Sequence, residues 1–164
     1  MDSISEQRIK LLHPKNRDEA MQILAEIETA LKGRAVCRIA RSLSTWAEQD
    51  KLYAQGRTAP GPVVTNARGG ESWHNYGMAV DVVLIIDGKV ASYEFDKDFD
   101  DDGMADWREI DTVFKKYGWD GLYHADGKRW DLPHFQKTHG LKIKQAQALY
   151  NSKQFIEGTQ YIKF

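Results

Sequence analysis

The strongest constraint in this 164-residue chain is a carboxylate set inside its most apolar stretch, Met78-Ala-Val-Asp81-Val-Val-Leu-Ile-Ile86. So many β-branched and aliphatic residues in a row read as a buried strand, Ala79 to Ile86. Asp87-Gly88 behind it is a hairpin turn signal, and Val90 to Phe95 can return antiparallel. An unpaired charge in such a strand is costly, so the fold must bring Asp81 a partner, and a metal ion is one candidate. The uninterrupted aliphatic part, Val82 to Ile86, is far short of the ~20 residues a membrane helix needs.

Helix and strand signals are mixed around that run. Asn16 is placed to cap a helix, with Glu19 at the capping-box position, Ala20, Ile23, Leu24, Ile27 and Leu31 at helical spacing, and Gly33 as its stop. Val36 to Ala40 reads as a short strand, and Thr45 with Glu48 forms a second capping box for a helix through Leu52 to Gly56. Residues 57–71 read as a loop, and a further helix spans Ala105 to Tyr117 with Gly118 as its stop. After Gly140 the pattern predicts a short helix and a strand-like end, Thr159 to Phe164, packed on the rest. These signals predict an α+β fold in a single compact domain spanning 1–164, a small antiparallel sheet with packed helices.

With 23 Lys+Arg against 24 Asp+Glu the formal net charge is -1, which argues against an electrostatic nucleic-acid binder. The lone cysteine, Cys37, excludes an internal disulfide. The opening MDSISEQRIK has no apolar core of a secretory signal, so synthesis in the cytoplasm without a signal peptide or membrane anchor is expected.

Two segments carry the chemistry. In Ser72-Trp-His74-Asn-Tyr-Gly77-Met-Ala79-Val-Asp81, the turn at Gly77 lets a histidine and an aspartate face one point, and both are zinc donors at ~2.0–2.2 Å. In Trp130-Asp131-Leu-Pro-His134-Phe135, His134 can supply a third ligand, which leaves a fourth position for water, and Asp131 can stand beside that water as general base. Taken alone, the first pair is weak evidence for a metal and reads more simply as a hydrogen-bonded loop histidine with a turn aspartate. The second, alone, reads more simply as a turn aspartate before Pro-His on a half-buried strand.

Together the segments resemble the D-Ala-D-Ala carboxypeptidase/VanY-like zinc peptidases of family M15, especially the phage endolysin branch of L-alanyl-D-glutamate endopeptidases. The likeness runs from about Arg38 to His139. It takes in Arg41-Ser42, Glu48-Gln49 through Leu52-Tyr53-Ala54-Gln55-Gly56-Arg57-Thr58, Val64-Thr65-Asn66-Ala67, Ser-x-His-x-x-Gly-x-Ala-x-Asp and Asp-x-Pro-His-Phe-Gln. The resemblance implies a hedgehog/DD-peptidase-like fold with core motifs over 38–139. It also implies one catalytic zinc on His74, Asp81 and His134, with Asp131 as base where other branches carry Glu. Arg41 matches the family arginine that stabilises the developing oxyanion, a task suited to a charge that cannot be lost. Gln49, Ser72, Tyr76 and Trp130 are candidate substrate-binding residues. His13, His124 and His139 fit no ligand spacing and are expected at the surface.

The function implied is a zinc-dependent, bacteriolytic peptidoglycan endopeptidase of prophage type, acting on the stem peptide as a monomer after release through a holin-type membrane hole. The alternatives are a D,D- or L,D-carboxypeptidase trimming terminal D-Ala, and a non-catalytic wall- or protein-binding module on the same fold. A retained Asp131 argues against the last.

A second metal signal lies in Asp98-Phe-Asp100-Asp-Asp102-Gly103-Met104-Ala-Asp106-Trp-Arg-Glu109. Its oxygen donors, its glycine and the backbone carbonyl of Met104 fall in the register of an EF-hand calcium loop. The Ala105 helix would exit it, but Val90 to Phe95 reads as strand, so no entering helix is expected. Similar acidic loops occur in related phage endolysins. A solvated loop of carboxylates ahead of a helix is the competing explanation.

Overall fold

The computed structural model describes residues 2–123 and 129–164. In chain order its elements are α1 (Ser3–Lys10), α2 (Pro14–Ala30), β1 (Ala35–Arg41), α3 (Trp46–Ala54), a 3-10 turn (Trp73–Tyr76), β2 (Ala79–Ile86), β3 (Val90–Ser92), α4 (Asp106–Lys116), β4 (Asp120–Tyr123), β5 (Arg129–Gln136) and α5 (Ile143–Asn151). The apolar run is β2, and it is the organising strand. It pairs with β1 along one side; on the other, β5 takes its first half and β3 its second. β4 completes the sheet outside β5, in the order β1-β2-β5-β4, and every pairing is antiparallel.

Strand alternation divides the sheet into two faces. Val80, Val82, Leu84 and Ile86 of β2, with Phe135 of β5, are buried against Leu24 and Ile27 of α2 and Ile110 and Phe114 of α4. Phe135 stacks on Phe114 with ring centroids 3.9 Å apart. The opposite face carries Asp81 and His134. A smaller apolar cluster packs Tyr76 and Met78 against Ala146 of α5 and Ile162 of the tail. The C-terminal stretch therefore lies against the 3-10 turn, with Tyr150 stacked on Trp46 at 4.6 Å. Among the described residues no helix is long and apolar enough to cross a membrane.

Several boundaries differ from expectation for local reasons. α2 starts at Pro14, where the missing N–H costs nothing, and the His13 ring caps it by accepting Lys15 N at 3.2 Å. Asn16 therefore lies inside the first turn, and Glu19 is used instead by the Trp119 indole and Lys137. Gly33 is not in the left-handed region. Its need for glycine is the Asp100 side chain, which would stand 3.0 Å from an added Cβ. The returning strand stops at Ser92, the strand-like tail makes only an isolated bridge between Phe155 and Ile162, and α1 has no counterpart in the sequence reading. His13 is fully buried rather than at the surface, while His139 is exposed and His124 falls outside the described residues.

Candidate active site

Sheet register assembles most of the site. Asp81 of β2 stands opposite Arg41 on β1 and opposite His134 on β5, so the three form one row across neighbouring strands. Arg41 reaches that row because β1 carries a bulge: Ile39 pairs with Val82 but Arg41, not Ala40, pairs with Asp81. Were Ala40 paired with Asp81 in unbroken register, Arg41 would share the inward face of Cys37 and Ile39. His134 and Gln136, two apart on β5, lie on the same side.

His74 comes from the 3-10 turn. The Ser72 side chain accepts from the His74 N–H, and Gly77 closes the turn at φ 67°. A Cβ at Gly77 would also stand 2.7 Å from His13 N, so glycine is required on two counts. Asn75 donates to Ser44 O, and Gly70 N donates to the Asn75 side-chain oxygen. Tyr76 donates its hydroxyl to Gly70 O and is buried, so Tyr76 shapes the turn from behind.

Hydrogen bonds set the ring tautomers. His74 Nδ1–H donates to Ser42 O at 2.7 Å, which turns the Nε2 lone pair toward Asp81 Oδ1 at 3.1 Å. His134 Nε2–H donates to Gln136 Oε1 at 3.1 Å, which turns Nδ1 toward the same Asp81 oxygen at 3.0 Å. His74 Nε2 and His134 Nδ1 are themselves 3.3 Å apart. Two ring lone pairs and a carboxylate oxygen thus converge with no donor of their own between them. That donor set suits a metal ion, and His74, Asp81 and His134 form a group able to hold one.

These groups open on a cleft of about 730 Å³ whose lining includes Arg41, Gln49, Thr65, Ser72, Asp131 and Gln136. Backbone pairing with Leu122 places Asp131 on β5. Arg41 is pinned by Ser44 Oγ at 2.9 Å and Gln49 Oε1 at 2.9 Å, with Asp81 Oδ2 4.0 Å away. Gln49 is 1% exposed and its carboxamide is engaged within the protein. The side chain of Trp130 lies outside the described residues. The sequence reading gave Gln136 no role, although it closes the Asp-x-Pro-His-Phe-Gln segment of the resemblance and stands two residues after a candidate ligand on a strand.

The acidic loop is a second convergence. One oxygen of each of four aspartates is taken by a backbone N–H: Asp98 by Gly103, Asp100 by Asp102, Asp102 by Met104 and Asp106 by Phe99. Asp100 also accepts from Lys32 N at 2.8 Å, which ties the loop to the end of α2. Asp98 Oδ1, Asp106 Oδ2 and Glu109 Oε2 are buried with no hydrogen-bond partner among the described residues, and Asp106 is fully buried. Asp98, Asp100 and Asp106, and likewise Asp100, Asp102 and Glu109, are grouped closely enough to hold a metal. Burial, then the charges of Asp102, Asp100 and Asp106, push the Glu109 carboxyl up to about 7. Burial likewise raises Asp106.

Residues 65–137 match a family model described as D-alanyl-D-alanine carboxypeptidase. A peptidoglycan L-alanyl-D-glutamate endopeptidase, CwlK of Bacillus subtilis (strain 168), is 38% identical over 128 residues, which cover 76% of this chain and 72% of the relative. The crystal structure of the L-Ala D-Glu endopeptidase ChiX of Serratia marcescens shares the fold. It superposes with a TM-score of 0.52 at 20% identity, over 84% of this chain and 89% of that one.

Proposed function

Because the chain belongs to the D-alanyl-D-alanine carboxypeptidase (M15) family of peptidases, we propose that it is a zinc-dependent endopeptidase cutting the L-alanyl-D-glutamate bond of the peptidoglycan stem peptide. The observation that carries this reading is the Arg41–Asp81–His134 row, closed by His74, at the floor of an open cleft that Asp131 also lines. His74 Nε2, His134 Nδ1 and one Asp81 oxygen would hold the zinc, which when bound supplies a Lewis acid and lowers the pKa of water. Asp131 takes the proton of the attacking water and returns it to the departing amine as the C–N bond breaks. Arg41 presents its fixed guanidinium to the oxygen on which negative charge develops.

Mass spectrometry of fragments released from purified peptidoglycan, with and without Zn²⁺ and with His74→Ala as control, tests the assignment. New fragments beginning at D-Glu are expected. Release of D-Ala alone would make the protein a carboxypeptidase, the activity named by the matched family model.

The acidic loop supports a second cation within the same reading. Asp98, Asp100, Asp102, Asp106 and Glu109, with the Met104 carbonyl, would hold Ca²⁺, a hard cation that takes oxygen ligands. The support is the set of orphaned oxygens on Asp98, Asp106 and Glu109, which in a sealed protein are costly unless a cation receives them. Calorimetric titration with Ca²⁺ should detect binding. No heat of binding and no rise in Tm at millimolar Ca²⁺ would overturn it.

A further inference from the structure

We propose that Gln49 is a positioning residue that holds Arg41 and the 65–67 wall of the cleft as one unit; the role given to Arg41 rests on the endopeptidase reading. Gln49 is 1% exposed, three residues into the helix that follows β1. Its amide oxygen accepts Arg41 Nη2 at 2.9 Å, and its amide nitrogen donates to Ala67 O at 2.9 Å and lies 3.4 Å from Thr65 Oγ1. The Thr65 hydroxyl in turn accepts Ala67 N at 3.2 Å, so the wall folds onto the carboxamide.

The chemistry of the bracket requires an amide. Arg41 offers only donors and needs an acceptor, whereas the Ala67 carbonyl offers only an acceptor and needs a donor. A carboxylate satisfies the first and repels the second; an alkyl chain satisfies neither. α3 is a firm mount for this side chain, because the Thr45–Glu48 capping box fixes its first turn immediately before Gln49. A second brace reaches the same wall from outside: Arg57 donates to Tyr53 O and Thr65 O, and to Asn66 Oδ1. That outer brace does not touch Arg41. Peptide seated against Thr65 and Asn66 therefore bears on a wall whose inner anchor is also the anchor of the arginine.

The test compares Gln49→Glu, Gln49→Leu and Arg57→Gln, with amide hydrogen exchange over 65–68, zinc content and steady-state kinetics on wall substrate. Gln49→Glu keeps a partner for Arg41 but not for Ala67, so kcat should stay near wild type while KM rises about tenfold and exchange over 65–68 quickens. Gln49→Leu loses both bonds, so kcat should also fall, by roughly 10- to 100-fold, with zinc retained. Arg57→Gln should quicken exchange and raise KM with kcat unchanged. Unaltered exchange and kinetics in both Gln49 variants would overturn the proposal. So would a fall in kcat that tracks lost zinc and lost Tm in every variant, since that is what a packing role predicts. If wild-type protein cleaves no wall substrate, the endopeptidase reading fails, yet exchange over 65–68 still decides whether Gln49 holds the wall. Should Gln49→Leu not fold, the Glu variant against Arg57→Gln carries the same comparison.

Discussion

The zinc-type triad and the acidic loop gather similar ligands by opposite means. In the triad each ring is oriented by the protein itself, His74 by Ser42 O and His134 by Gln136, and the carboxylate between them sits in a strand. In the loop backbone N–H groups take one oxygen each of Asp98 and Asp106 and leave buried oxygens on Asp98, Asp106 and Glu109 with no hydrogen-bond partner among the described residues. The first region is geometry held ready, the second a repulsion waiting for a counter-charge. A cation should therefore change the chemistry of the first and the stability of the second.

The largest expected effect lies in the triad. Asp131→Ala should retain zinc and lose activity by about 10²- to 10⁴-fold, whereas His74→Ala should lose both, as metal analysis beside turnover on wall substrate will show. Near-normal turnover in Asp131→Ala would exclude it as base. Next, Gln136→Leu should weaken zinc binding by about 10- to 100-fold in competition with a chelating dye, because His134 loses the acceptor that sets its tautomer. In the loop, Ca²⁺ at a hundred times its Kd should stabilise the fold by about 2.7 kcal/mol, read as a Tm shift that Asp106→Asn abolishes. An equal shift in that variant would mean the ion binds elsewhere.

The smallest effect sharpens the contrast within one ring. His13 is satisfied while neutral, Nε2–H donating to Ile162 O and Nδ1 accepting Lys15 N. Burial lowers its pKa; the Ile162 carbonyl opposes this, and His139, Lys15 and Arg17 reinforce it. Because the folded pKa lies below the unfolded value of 6.5, the contribution of His13 to stability is complete above that pH and is lost as pH falls beneath it. Tm should drop between pH 7 and 5, and His13→Gln should flatten that slope. A slope unchanged by the substitution would place the acid sensitivity elsewhere.

What could be foreseen from the sequence follows the range of the forces involved. The β2 strand is legible because its apolar run is longer than any competing pattern, and α3 because Thr45 and Glu48 cap it from within four residues. The residues of the triad and the loop stand out as motifs. The residues that bracket them, Ser42, Gln49 and Gln136, fall within the segments of the family resemblance, but their partners are set by tertiary packing and no spacing foretells them. The start of α2 is missed because a histidine caps it, and α1 because Ser5 and Ile9 are the only buried residues on it.

The extra residue at Ala40 has a consequence for how this protein can change. Along β1 the pairing with β2, rather than residue identity, decides which side chains line the cleft. Deleting Ala40 would straighten the strand and leave Arg41 opposite Asp81, whereas a slip that paired Ala40 with Asp81 would turn Arg41 toward the packed interior without altering any functional residue. Chemistry in this fold can therefore be lost through a one-residue slip in strand pairing while every motif stays intact.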